Sequence, residues 1–335
     1  MTQNNLQFIG IEECSRILHA ATHIVLTTHM NPDGDAIGSE CALYAAFTAA
    51  GKDVRIINCD AAPENLTFLN GSGQVEAYVP AMHDAIIAGA DLLVALDFND
   101  IRRVRQMEQV FRAGTGRKLV VDHHLDPKPF ADFYFSLPGA SSTAEIVYDI
   151  LESANDTLSY DSALGLYTGI MTDTGSFRFD RTTPRVHRIA ACLLEAGVDP
   201  VTTHRQIFDD YPIGRTQLLG MILAGIERHC DGRVSVLGVT TDMFVQTGTT
   251  VEDVENIVNM GLAIRGVEAT ALLTEFDGHI KVSFRSRGSI TVNDIAGAFG
   301  GGGHRLAAGA MVEGVAFSEL KERVAAALCA AVNPS

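Results

Sequence analysis

Short apolar runs alternate with longer mixed stretches through the first half of this 335-residue chain. HIVLTT (23–28), DVRIIN (53–58), DLLVALD (91–97) and KLVVD (118–122) are continuously apolar and rich in β-branched residues, a pattern that predicts buried strands. The stretches 37–50, 101–113 and 142–154 between and after them predict helices. Strands that alternate with helices in this way predict an α/β domain with a mostly parallel sheet flanked by helices. Two more helices are predicted at 161–172 and 184–196, the second opening at Thr182-Thr183-Pro184 and stopping at Gly197. Residues 199–229 read as helical with interruptions at Pro212 and Gly214. In the second half, RVSVLGVT (233–240) leads to a helix near 251–264. VEATALLTEF and HIKVSFRS then flank Asp277-Gly278, a hairpin signal. A short helix near 292–299 runs into Gly300-Gly301-Gly302-Gly303-His304, and an amphipathic helix at 317–332 closes the chain. The pattern predicts a larger domain at 1–197, a helical linker at 198–229 and a smaller α/β domain with a mixed sheet at 230–335.

Composition adds limits. Hydrophobic residues make up 47% and charged residues 20%, as in a globular protein, and no apolar run approaches membrane-spanning length. The N-terminus lacks a basic segment followed by an apolar one, and the six scattered cysteines contain no C-x-x-C pair. Together these predict free thiols and a cytoplasmic setting. The net charge of −16 argues against a partner such as long duplex DNA, which that field would repel. The charge is uneven: residues 1–214 carry 15 basic and 28 acidic side chains, and residues 215–335 carry 10 and 13. Residues 102–118 hold six Arg/Lys against one Glu, and residues 281–305 hold four against one Asp. A small anionic substrate needs only such a local basic pocket.

The chemistry gathers where strands end. HIVLTT runs into His29, Asp33 and Asp35; DLLVAL ends in Asp97; KLVV ends in Asp122-His123-His124; and an apolar helix ends near Asp173. Open α/β sheets bind ligands outside the carboxyl ends of their strands. Taken singly, each motif has an ordinary explanation. Asn-Pro-Asp-Gly is turn chemistry, Asp97 or Asp173 could cap a helix, and paired histidines could lie on the surface. Taken together, several carboxylates converging on one edge would repel one another unless a cation neutralised them. Four Asp with one or two His and no Cys is an oxygen-rich set that favours Mn²⁺ or Mg²⁺, with Co²⁺ possible, over structural zinc. So many donors exceed the needs of one ion, which predicts two divalent ions sharing a bridging carboxylate, the arrangement used in phosphoryl displacement.

HMNPDGDAIGS (29–39), ALD (95–97), VVDHH (120–124) and TDTGSF (172–177) resemble, in order, the motifs of the DHH phosphoesterase superfamily. FGGGGHRLAAG (299–309) resembles the signature of its DHHA1 partner domain. Within the superfamily the chain looks most like the group that degrades short oligonucleotides and dephosphorylates pAp. The resemblance implies an active-site cleft between the two domains. It implies that His29, Asp33 and Asp97 hold one metal and that Asp35, Asp97, His123 and Asp173 hold the other. It implies that His124 touches substrate phosphate and that Asp122 orients a histidine ligand. Arg103, Arg285, His304 and the turn Gly301, Gly302 and Gly303 would bind substrate; the glycines let backbone N–H groups approach an anion. Ser141-Ser142-Thr143 is open between substrate contact and helix cap, and Phe177 and Phe179 between base stacking and core. The implied activity is hydrolysis of oligonucleotides of a few residues to 5′-mononucleotides, with pAp as a further substrate, by a homodimer. Rival readings are an exopolyphosphatase or pyrophosphatase, a phosphodiesterase of linear or cyclic dinucleotides, and a non-catalytic nucleotide-binding protein.

Overall fold

The apolar runs of the first half assemble into one sheet. A computed structural model describes residues 6–333, apart from Asn70, Asp210, Glu255 and Ser289. The first compact unit, Met1–Asp210, contains α1 (Ile11–Ala20), β1 (His23–Thr27), α2 (Gly34–Ala49), β2 (Asp53–Asn58), β3 (Val75–Ala77), α3 (Pro80–Gly89), β4 (Leu92–Leu96), α4 (Glu108–Ala113), β5 (Arg117–Asp122) and β6 (Phe133–Ser136). It continues through α5 (Thr143–Ser153), α6 (Tyr160–Asp173), α7 (Pro184–Glu195) and α8 (Pro200–Phe208). The strands run β3-β2-β1-β4-β5-β6, all parallel. Alternate residues of each strand point to opposite faces. Ile24, Leu26, Val94 and Val121 join the core under α1, α2, α5, α6 and α7, whereas Val25, Leu93, Ala95 and Val120 join a second core with Ile87 of α3 and Phe111 of α4. Burial on both faces explains the continuously apolar runs. The chain order reverses between β1 and β4, so their carboxyl ends diverge around a crevice there.

α2 and α6 cross almost backbone to backbone. A Cβ on Gly38 would strike the carbonyl oxygen of Gly165, and one on Gly165 would strike that of Gly38. The helix expected over 101–113 is broken. Ile101–Met107 forms a 3₁₀ turn in which Arg105 has φ 48°, and only Glu108–Ala113 is α-helical. The break is anchored by Met30 N donating to Arg103 O (2.7 Å) and by Arg105 pairing with Asp60 (3.2 Å).

The second unit, Tyr211–Ser335, holds α9 (Ile213–Ala224), β7 (Glu227–His229), β8 (Val234–Val239), α10 (Thr241–Thr247), α11 (Val258–Leu262), β9 (Ala269–Phe276), β10 (His279–Ser286), α12 (Val292–Ala298), β11 (Gly302–Gly303), β12 (Ala307–Glu313) and α13 (Phe317–Val332). Its sheet is mixed, ordered β11-β12-β10-β9-β8-β7, with β8 and β9 parallel and the other pairs antiparallel. Asp277 and Gly278, at φ 50° and 78°, make the expected hairpin turn. The stretch read as a linker is divided between the units: Ile207 of α8 packs in the first core, and Leu218 and Ile222 of α9 pack against β8. Gly214 is not an interruption but lies within α9, where a Cβ would meet the Thr247 carbonyl. The helix expected near 251–264 is split, with Asn256 at φ 64° between a 3₁₀ turn and α11.

The cysteine expectation needs correcting. Cys230, in the β7–β8 turn, and Cys329, on α13, form a disulfide with Cα atoms 5.8 Å apart. Ninety-nine residues separate them, so spacing carried no signal of the pairing. Cys14, Cys41, Cys59 and Cys192 are free. Among the described residues, no helix is long and apolar enough to cross a membrane.

Candidate metal centre

The crevice between β1 and β4 collects the polar residues that the strand ends deliver. β1 leads through Thr28 to His29, whose Nδ1–H donates to the Met30 carbonyl (2.8 Å). That bond leaves Nε2 facing Asp97 Oδ2 at 3.4 Å, which is the tautomer a metal-ligating imidazole uses. Asp33 caps α2, its Oδ1 accepting from the amides of Asp35 and Ala36 at 3.1 Å. Asp97 follows β4 with φ 64°, a left-handed conformation that aspartate tolerates better than most residues. Its Oδ1 accepts from Thr143 Oγ1 (2.9 Å) and faces His123 Nε2 at 3.4 Å, while Oδ2 faces His29. His123 Nε2 also lies 3.3 Å from Asp173 Oδ2 and 3.8 Å from Asp35 Oδ2. His124 Nδ1–H donates to Asp122 Oδ1 at 2.7 Å. The pairing therefore places Asp122 on His124 and not on His123.

Asp35 is wholly buried, and the N-terminus of α5 holds it. The amides of Thr143 and Ala144 donate to its two oxygens at 2.7 and 2.8 Å. Gly169 of α6 leaves room for it, since a Cβ there would sit 2.8 Å from Asp35 Oδ1. Ser142, whose side chain accepts from Glu145 N, caps the same helix (3.0 Å). Of the open run Ser141-Ser142-Thr143, then, Ser142 is the cap and Thr143 supports two acids of the centre. The cap was legible; its aim at Asp35 was not, because a cap does not show what the helix points at.

Among the described residues three sets of side chains each bring one ligand atom apiece within 4.8 Å of one another: His29, Asp33 and Asp97; Asp35, His123 and Asp173; and Asp97, His123 and His124. The electrostatics have one sense. Burial, then repulsion from Asp97, Asp173 and Asp33, raises the Asp35 pKa well above the ordinary carboxylate range. Burial and the charges of Asp97 and Asp33 push Asp173 to about 8. For His123 and His29 burial favours the neutral ring, but the Asp97 carboxylate outweighs it, taking His123 up to about 9 and raising His29. Burial opposes ionisation of Asp97 as well, yet its bonds to His123 and His29 hold it well below the usual value. Protons gather on a nest of carboxylates that lacks enough cations of its own. Oxygen donors with two imidazoles, converging and short of positive charge, fit divalent cations.

Arg103 lies at this edge, its Nη1 donating to the Asp97 carbonyl at 3.4 Å. Arg181 also reaches it, Nη1 donating to His123 Nδ1 (3.3 Å) and Ala140 O (3.2 Å); no sequence motif marked that residue. Phe177 packs against Tyr167 and His187, while Phe179 is 52% exposed over Gly175.

In the second unit, Arg285 on β10 is half-buried with Nη1 donating to the Phe284 carbonyl (2.9 Å). Gly302 and Gly303 pair with Gly309 and Ala308 of β12, and Gly301 lies so close to Gly309 and Ala310 that a Cβ would collide. The glycine run is thus needed for close strand approach at this turn, with His304 exposed at its end and its amide donating to Ala307 O (2.7 Å).

The DHH family's N-terminal domain matches residues 23–170, and the DHHA1 domain matches residues 233–333. The chain is 35% identical to the bifunctional oligoribonuclease and PAP phosphatase NrnA of Thermus thermophilus, over 90% of this chain and 87% of that one. It is 28% identical to the protein of the same name from Bacillus subtilis, over 90% and 92%. The crystal structure of an exopolyphosphatase-related protein from Bacteroides fragilis superposes with a TM-score of 0.89 at 31% identity, covering 94% of this chain and 95% of that one. With these two domains in order and likeness along nearly its whole length, the chain belongs to the DHH family.

Proposed function

We propose that this protein is a divalent-metal phosphoesterase that hydrolyses short oligonucleotides to 5′-mononucleotides and removes the 3′-phosphate of pAp. The observation that carries the reading is Asp97, whose two carboxylate oxygens face different donor sets, His29 on one side and His123 on the other. We assign His29, Asp33 and Asp97 to one cation and Asp35, Asp97, His123 and Asp173 to a second, with Asp97 as the bridge. Two bound cations, Mn²⁺ first and Mg²⁺ or Co²⁺ as alternatives, supply a nucleophile at neutral pH and neutralise charge on the phosphate.

The chain's own groups do the rest. The helix amides on Asp35 and the Thr143 hydroxyl on Asp97 hold those carboxylates in place. Asp122 accepts from His124 Nδ1–H and so fixes that ring at the edge where the substrate phosphate is assigned. Arg103 adds a cation at the same edge. Arg285, His304 and the amides of Gly301, Gly302 and Gly303 are assigned to the rest of the substrate. A cytoplasmic homodimer acting on remnants of RNA turnover, away from membranes and long duplexes, fits this substrate class. The names of the relatives from Thermus thermophilus and Bacillus subtilis support the same substrates.

The test is Mn²⁺-dependent hydrolysis of pGpG, a long RNA, pAp and polyphosphate side by side, with Asp97→Asn as control. Rapid cleavage of pGpG and pAp, slow action on the long RNA and loss in the variant are expected. Turnover of polyphosphate alone would replace this reading by the exopolyphosphatase one.

A further inference from the structure

The turn after Asp173 brings an unassigned cation back onto the metal centre. Gly175, Ser176 and Phe177 are all left-handed, at φ 56°, 60° and 61°. Three such residues in succession, two of them not glycine, form a strained turn that needs outside support. Support comes from Ser176 N donating to Met171 O (2.8 Å), Phe177 N to Thr174 Oγ1 (3.0 Å), and Arg178 N and Phe179 N to Thr174 O (2.9 and 3.0 Å). The turn reverses the chain beyond α6 and lays Arg181 against His123 and the Ala140 carbonyl. Arg181 is half-buried, and among the described residues no carboxylate lies within ion-pair distance of it, unlike Arg185 four residues on, which pairs with Asp149; its charge acts on Asp173 from farther off.

A guanidinium has donors only. Among the described residues only its Nη1 is engaged, by His123 Nδ1 and the Ala140 carbonyl, and Nε and Nη2 have no acceptor. The other nitrogen of the His123 ring faces Asp35, Asp97 and Asp173, the direction of the assigned cation. The guanidinium thus stands beside the phosphate-handling edge with donors to spare, its charge also acting on Asp173. The ligand chemistry that completes it is an oxyanion with several acceptor oxygens.

We propose that Arg181 is a phosphate-binding residue of this centre, its free donors taking a non-bridging oxygen of the substrate phosphate. This rests on the metal-centre reading above and adds a residue to it.

The test uses the full chain and its Arg181→Gln and Arg181→Lys variants, each checked for an unchanged circular dichroism spectrum. Mn²⁺ affinity is measured calorimetrically without nucleotide. Binding of 5′-GMP and of guanosine to the Mn²⁺-loaded proteins is measured next, and KM and kcat for pGpG last. Arg181→Gln is expected to keep its Mn²⁺ affinity within about threefold and to lose 5′-GMP affinity about tenfold or more, the scale of a charge-assisted bond. Guanosine binding should not change, Arg181→Lys should recover part of the loss, and the KM for pGpG should rise more than kcat falls. Equal 5′-GMP affinity in wild type and Arg181→Gln would overturn the proposal. So would a drop in Mn²⁺ affinity of an order of magnitude, which would make Arg181 a strut for His123. If wild type binds 5′-GMP without cleaving pGpG, the substrate assignment fails and the Arg181 comparison still decides its own question.

Discussion

Glu40 lies on α2 behind the metal centre and is completely buried. Its Oε2 accepts from Asn58 Nδ2 at 2.8 Å, and its Oε1 has no partner. Asn58 Oδ1 in turn accepts from the amide of Thr28, next to His29, so the glutamate underpins the loop that delivers the histidine. Burial raises its pKa from 4.5 to about 8, against the Asn58 bond and with help from the Asp97 charge. The folded pKa thus lies above the unfolded one. The folded protein keeps this proton where the unfolded chain has released it, and the associated stability is full below about pH 4.5 and lost as pH rises through 8. At about 1.4 kcal/mol per pH unit, stability falls by about 4 kcal/mol between pH 5 and pH 8 on account of this one group. Glu40→Gln keeps the size and the acceptor for Asn58 and removes the titration. The amide that replaces Oε1 adds an offset that does not vary with pH, so the quantity to read is the difference in slope. Urea unfolding of the metal-free protein is followed from pH 5 to pH 9 by far-UV circular dichroism, since the chain has no tryptophan. The variant should gain about 4 kcal/mol on wild type across pH 5–8 in the transition of the first unit. A pH-independent difference between the two proteins would refute the assignment of a proton-bearing Glu40.

Asp97→Asn should reduce hydrolysis by about a thousandfold or more and lower the Mn²⁺ stoichiometry seen by calorimetry; undiminished turnover would remove Asp97 from the centre. Asp173→Asn removes a carboxyl that burial and the charges of Asp97 and Asp33 push to about 8, so without metal the variant should melt higher than wild type at pH 8. Added Mn²⁺ should reverse that order, raising the wild-type melting temperature by several degrees and the variant's much less. Gly38→Ala places a methyl group against the Gly165 backbone, which cannot move aside as a side chain would, and should cost about 1–3 kcal/mol in chemical denaturation. A neutral result there would mean that α2 and α6 can separate freely.

The strands of the first sheet were legible because both faces are buried, which makes Leu92–Leu96 apolar throughout. The site was legible as a set of polar residues at strand ends, and the helix at 317–332 was found to the residue. What escaped depends on which ends meet. β6 is four residues long, too short for its period to show, and α1, although its buried face is regular, opens at Gly10 with no side-chain cap to mark its start. The break at Arg105 follows from Met30 and Asp60, residues distant in the chain that capture the Arg103 carbonyl and the Arg105 side chain. Asp35 takes its support from an α5 terminus more than a hundred residues away, and Arg181 reaches His123 only through a turn of left-handed residues. None of these partners shares a local pattern with the residue it serves.

The left-handed backbone of Asp97 bears on how such a centre decays in a lineage. Alanine there would remove the charge and also strain the chain, since a Cβ without a polar group to bond locally disfavours that conformation. Asparagine occupies the same region readily and keeps an oxygen for the Thr143 hydroxyl. Aspartate and asparagine codons differ at a single base. The easiest heritable step away from activity is therefore one that leaves the fold intact, and a descendant that had abandoned hydrolysis while still binding nucleotides should carry asparagine at position 97.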